Sequence, residues 1–200
     1  MLHGNSVLAC HLLNARSLCN KMDYLHAFIA QHHPDLVFVT ETWLTPSIHD
    51  SEILAAFPYL VCLWIVVKVE GVEYAVKGNL FCHSVELRSS TKADVLCLEL
   101  FCPRNGARVR FILVYRPPNS NRNDDEKLLE LLRETVLAEF NSVVLGDFNL
   151  AIDWLNLRAR NSISSTFWIF SGSWIGTTRP RTYPWQQHHW SDLSFATGKL

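Results

Sequence analysis

The sequence predicts an α/β fold whose strands deliver polar side chains at their ends, and three observations carry that prediction. The chain opens as strand, helix, strand: an apolar run SVLACHLL (6–13), a helical stretch 21–32, then LVFVT (36–40). A second helix-to-strand passage runs from 124 into SVVLGDFNL (142–150). In both passages a buried strand ends on a carboxylate or amide, the place where open α/β sheets hold their ligands.

Taken in order, SVLACHLL is short, apolar and fit for a buried strand that ends at Asn14. Asn20 is the expected N-cap of the helix that follows. Met22, Leu25, Phe28 and Ile29 recur near helical spacing, Asp23 sits in the first turn, and Pro34 ends the helix. LVFVT is a continuous β-branched and aromatic run, as in a strand covered on both faces, and it delivers Glu41. From 52 to 100 the pattern is β-like: YLVCLWIVV, VEYAV, FCHSVEL and DVLCLEL are separated by glycine or polar turns, and RVRFILVY (108–115) continues the series. A turn-rich RPPNSNRNDD precedes the clearest helix, 124–140, with Leu128, Leu132, Val136 and Phe140 four apart. Beyond Leu150 the pattern weakens to one short helix near 164–170, an aromatic-rich loop TTRPRTYPWQQHHW, and a last strand SDLSF.

Composition narrows the function classes. Two hundred residues at 48% hydrophobic and 18% charged suit one globular domain, and a net charge of −1 gives no global basic field for nucleic acid. Any such contact must come from local cations, and Arg104, Arg108, Arg110, Arg116 and Arg122 are the candidates for phosphate contacts. The N-terminus lacks a signal-peptide pattern, and the apolar stretch 54–67 is broken by Pro58 and too short to span a bilayer. No membrane partner is expected. Six cysteines without a CxxC pair read as reduced core thiols of an intracellular protein.

The candidate chemistry lies in GDFNL. In a strand alternate residues point the same way, so Asp147 and Asn149 can project together while Phe148 packs behind. Gly, Asp and Asn are equally ordinary turn residues, and a strand followed by an Asx turn is the competing reading.

Four motifs in order resolve that choice: NARSLCNK, PDLVFVTETWL, VYRPPNS and LGDFNLAIDW. Together they resemble the endonuclease/exonuclease/phosphatase family, and within it the apurinic-type endonuclease domain of CR1/jockey-like non-LTR retrotransposons. The similarity is strong over 12–50 and 111–154 and weak elsewhere, so a single domain over 1–200 is expected, degenerate over 155–200. The resemblance implies a DNase I-like four-layer α/β/β/α sandwich, incomplete at the C-terminus, and Mg²⁺- or Mn²⁺-dependent phosphodiester hydrolysis on DNA. It makes Glu41 and Asn14 the metal residues, Tyr115 the contact to the scissile phosphate, and Asp147 with Asn149 the pair aligning water and phosphate. A hard cation needs few carboxylates and keeps several waters, which suits so small a donor set.

The resemblance fails at the last motif. Family members carry a terminal serine–aspartate–histidine triplet, whereas Ser191-Asp192 is followed here by Leu193. The 45-residue spacing from Asp147 instead matches Asp192 to the aspartate that orients the family's catalytic histidine. Weak or lost activity is then expected. A non-catalytic remnant that binds nucleic acid and a phosphatase of the same fold remain alternatives, and a DNA enzyme would work in the nucleus.

Overall fold

The computed structural model describes residues 9–45, 47–48, 53, 63–65, 81–88, 90–102, 106–136, 141–150, 152–153, 158–159 and 192–196. The chain forms two compact units, one built from 1–81, 102–107 and 177–200, the other from 82–101 and 108–176.

The first unit carries a four-stranded sheet in the order β10-β1-β2-β3, formed by β1 (Ala9–Asn14), β2 (Leu36–Thr40), β3 (Leu63–Ile65) and β10 (Asp192–Ala196). β1, β2 and β3 run parallel, while β10 lies antiparallel against β1. The strand read in SDLSF is therefore present, and it covers the flank of β1. LVFVT is buried at all five positions, as its unbroken apolar run requires. Alternation then divides the side chains. Leu13, Val37 and Val39 join Leu25, Phe28 and Ile29 of helix α1 (Met22–His32) in one core, which also takes in Ala15, Leu18 and Ile53. Helix α1 ends on His33, which takes a left-handed conformation and donates its N–H to the Ile29 carbonyl at 2.9 Å.

The N-terminal cap differs from expectation. Lys21, not Asn20, occupies the cap, and no side chain there bonds the helix. Its ammonium instead donates to the carbonyls of Ala15 and Arg16, tying the helix start to the loop after β1.

In the second unit, β4 (Phe81–Val85), β5 (Asp94–Cys102), β6 (Ala107–Tyr115) and β7 (Asn141–Asp147) form a sheet in that order, with β6 and β7 parallel. Helix α2 (Arg122–Val136) lays Leu128, Leu129, Leu132 and Val136 on Cys97, Ile112 and Val114. It begins two residues before the predicted Asp124, because the Asn121 side-chain oxygen accepts the Asp124 N–H at 3.0 Å. A two-stranded ribbon, β8 (Ile152–Asp153) with β9 (Arg158–Ala159), follows. The expected strand VEYAV, the short helix near 164–170 and the aromatic-rich loop fall outside the described residues, as does the end of the 124–140 helix beyond Val136.

Cys10 and Cys97 are buried thiols, as predicted, and Cys19 is an exposed one. Burial, reinforced by Asp35, pushes the Cys10 thiol up to about 12, and burial likewise raises Cys97 to about 11. Such groups stay protonated at neutral pH and behave as small hydrophobes. No helix among the described residues is long and apolar enough to cross a membrane.

Candidate functional site

Each unit ends a pair of parallel strands on the residues singled out by the sequence. In the first, Asn14 stands in register with Thr40, the residue before Glu41. The two strand ends therefore bring the amide and the carboxylate together. Asn14 Nδ2 donates to Glu41 Oε1 at 3.0 Å, while Asn14 Oδ1 accepts the Arg16 N–H at 3.2 Å. The segments leaving both strands are laced side by side. Ala15, Ser17 and Leu18 donate their N–H groups to the carbonyls of Thr40, Glu41 and Thr42 at 2.8–2.9 Å.

This lacing holds unusual backbone in place. Glu41 and Trp43 both have left-handed φ, 53° and 49°, as do Arg16 and Ser17 across the lacing, at 43° and 78°. Non-glycine residues in this region cost of order 1–3 kcal/mol each, and they persist where surrounding contacts over-determine them. Lys21 completes the environment. Partial burial, seconded by Arg16, lowers its pKa below the ordinary 10.5, and the Glu41 carboxylate opposes that shift. Asp192 lies in β10 opposite Leu13, one register position from Asn14, so its backbone reaches the same end of the sheet.

In the second unit Tyr115 and Asp147 stand in register at the carboxyl ends of β6 and β7. β7 stops at Asp147, and Asn149 leaves the strand with φ 47°. Alternation along a strand therefore does not place Asn149. Instead Asp147 Oδ1 accepts the Asn149 N–H at 3.0 Å, and Asn149 Nδ2 donates to the Arg116 carbonyl at 2.8 Å. The Asx turn and the candidate site are one structure, not rivals. Phe148 packs on the core beneath α2, as expected.

Gly146 makes the approach possible. It has φ 149°, and a Cβ there would lie 1.8 Å from the Val114 carbonyl oxygen. Any side chain would push β7 off β6 just before the two strands present Tyr115 and Asp147.

Arg116 corrects the sequence reading. Expected as a phosphate contact, it is buried and forms a two-point ion pair with Asp125 of α2, Nε to Oδ1 at 2.6 Å and Nη2 to Oδ2 at 3.0 Å. Its Nη1 also donates to the carbonyls of Phe148 and Asn149 at 3.3 and 3.5 Å, and its own N–H to Asp147 O at 2.8 Å. The guanidinium fork thus fastens the DFN turn to the helix. Arg110 is likewise buried, against Glu99 and the Thr135 carbonyl. Arg122 is an exposed partner of Glu126, and Arg108 lies over the Phe101 ring. Arg104 falls outside the described residues. The sequence carried one usable signal for Arg116: an aspartate, Asp125, on the buried face of the helix that follows it.

Chemically, the Asn14–Glu41 pair offers hard oxygen donors. That set suits a Mg²⁺-like ion that keeps most of its water and does not suit a thiophilic metal. Among the described residues no group of three or more His, Cys, Asp or Glu side chains gathers to form a closed metal cage. A sparse, water-rich shell is the kind of site these residues fit.

Comparison with known proteins shows the fold and the family. The chain resembles the human nocturnin catalytic domain with bound sulfate, at 12% identity over 95% of this chain and 84% of that one, with a TM-score of 0.53. It also resembles D. rerio TDP2 complexed with a single-strand DNA product (17% identity, 81% and 65% covered, TM-score 0.52). A Bacteroides thetaiotaomicron endonuclease/exonuclease/phosphatase family protein is a third match (12% identity, 81% and 69% covered, TM-score 0.52). These likenesses show a shared fold. The chain spans less than two thirds of the TDP2 chain with DNA product and of a humanized D. rerio TDP2, 65% and 66% of their lengths. No curated protein matches the sequence. The sequence profile of the endonuclease/exonuclease/phosphatase family matches residues 7–198, and the chain belongs to that family.

Proposed function

We propose that the protein is a divalent-metal-dependent phosphodiesterase acting on DNA, of the kind found in the endonuclease domains of non-LTR retrotransposons. The observation that carries this reading is the Asn14–Glu41 pair, an amide fixing a carboxylate at the ends of two parallel strands. Glu41, with Asn14 beside it, would hold Mg²⁺ or Mn²⁺. When bound, the metal neutralises charge on the phosphoryl oxygens and eases departure of the leaving oxygen. The protein's own groups do the rest. By the family resemblance Asp147 would orient the attacking water and draw its proton, Asn149 and Tyr115 would donate hydrogen bonds to phosphate oxygens, and Asp192 would belong with them. A structural neighbour solved with a single-strand DNA product favours a nucleic-acid substrate over a small phosphate ester. A protein with this activity would meet its substrate in the nucleus.

The test compares two substrates. With Mg²⁺ the purified chain is expected to convert supercoiled plasmid to the nicked form, slowly because Leu193 and not a histidine follows Ser191-Asp192, to stop on chelation, and to leave a soluble phosphomonoester untouched. Release of phosphate from the monoester with intact plasmid would favour the phosphatase reading. Metal-independent binding without cleavage of either would favour a non-catalytic remnant.

A further inference from the structure

Trp43 lies two residues beyond Glu41, and the residue is 63% exposed. Its neighbours leave it little freedom. Thr42 is fully buried, Leu44 packs on the α1 core, and the Glu41 and Thr42 carbonyls are fixed by the Ser17 and Leu18 N–H groups. The backbone at Trp43 is left-handed, a conformation that bulky residues rarely adopt. Burial would ordinarily favour turning so large an apolar ring inward. Instead a strained, doubly anchored segment presents it to solvent beside a candidate metal ligand. The loop laced to this segment carries an exposed cation, Arg16, and the Lys21 ammonium is tied to that same loop. A flat aromatic face with cations close by is the combination that holds single-stranded nucleic acid: the ring stacks on a base and the cations attract its phosphates.

We propose that Trp43 is a stacking platform for an unpaired nucleobase, placing the strand over the Glu41 end of the sheet. The inference rests on the nucleic-acid reading above and adds a specificity to it. A base can stack on the indole only when it is free of its duplex partner, so single-stranded or frayed DNA is preferred. A protein surface docking on the same ring is the competing occupant, and the probe is chosen to separate the two.

The experiment measures binding of the full chain to an oligothymidylate of roughly twelve nucleotides and to an abasic deoxyribose-phosphate strand of equal length. No divalent metal is added, so no strand is cut and binding is read apart from nicking. The wild type is expected to prefer the base-bearing strand by roughly tenfold, the scale of one base–aromatic stack. Trp43→Ala should abolish that preference at an unchanged melting temperature, and Trp43→Phe should keep most of it. A Trp43→Ala protein that still distinguishes the two strands as wild type does would overturn the inference. So would a wild type that binds both strands equally, or neither, as expected if the ring serves a protein partner. Absent plasmid nicking with the base preference intact would remove the catalytic reading and leave the stacking platform standing.

Discussion

Gly146→Ala is expected to lower the melting temperature by more than roughly 10 °C, or to prevent folding outright. The added methyl would meet backbone rather than a side chain that can swing aside: the Val114 oxygen at 1.8 Å and the Val114 carbon and nitrogen at 2.7 Å. β6 and β7 pair from Val109–Asn141 to Tyr115–Asp147, so the clash falls one position before the end of the ladder. Relief requires the strands to part there, which strips the Arg116 N–H from the Asp147 carbonyl. The left-handed φ adds strain for any residue with a Cβ. Circular dichroism melts of the two proteins decide the matter. A shift under about 2 °C would mean that the close approach is not as described.

Arg116→Ala should cost about 3–5 kcal/mol, because it strands the Asp125 carboxylate in a buried position without its partner. Over a chain of this size that is roughly 6–20 °C in melting temperature. Stability alone would not separate the ion pair from its second role of fastening the DFN turn. The double variant Arg116→Met/Asp125→Leu does so. Replacing a buried pair by apolar side chains of similar volume is often neutral or stabilising, so most of the lost stability should return. The donors to the Phe148 and Asn149 carbonyls remain missing, so hydrolysis should stay depressed by roughly tenfold or more, the scale of misplacing a reacting group. Recovery of activity together with stability would show that the guanidinium does no positioning. Failure of the double variant to regain stability would show that the pair cannot be replaced by packing.

These two residues mark what the sequence could and could not show. β2 was legible to the residue, because a strand covered on both faces needs an unbroken apolar run and Leu36–Thr40 is one. α2 was legible from its four-residue leucine spacing, but its start was not. Asn119, Asn121 and Asn123 are all adequate caps, and only the folded loop selects Asn121. The order Asn14, Glu41, Tyr115, Asp147, Asn149 pointed to the strand ends where the structure places the first four. The local geometry was hidden for two reasons. Glutamate and tryptophan seldom take left-handed backbone, so nothing in TETWL announces it. An arginine after Tyr115 reads as a solvent-facing cation until its aspartate, nine residues on, is seen to be buried with it.

Family and fold are common ground for many activities, so the claim that matters is that these strand ends carry out metal-assisted hydrolysis. The most direct measurement is plasmid nicking in Mg²⁺ by wild type, Glu41→Ala and Asp147→Ala, each checked for an unchanged melting temperature. Glu41 and Asp147 are partly exposed, so both variants should fold. Under metal-assisted hydrolysis the wild type nicks, slowly for want of a histidine at Leu193, and each substitution lowers the rate by roughly a hundredfold or more, as loss of a metal ligand or general base does. Nicking that persists in either variant, or a wild type that never cuts, would contradict it.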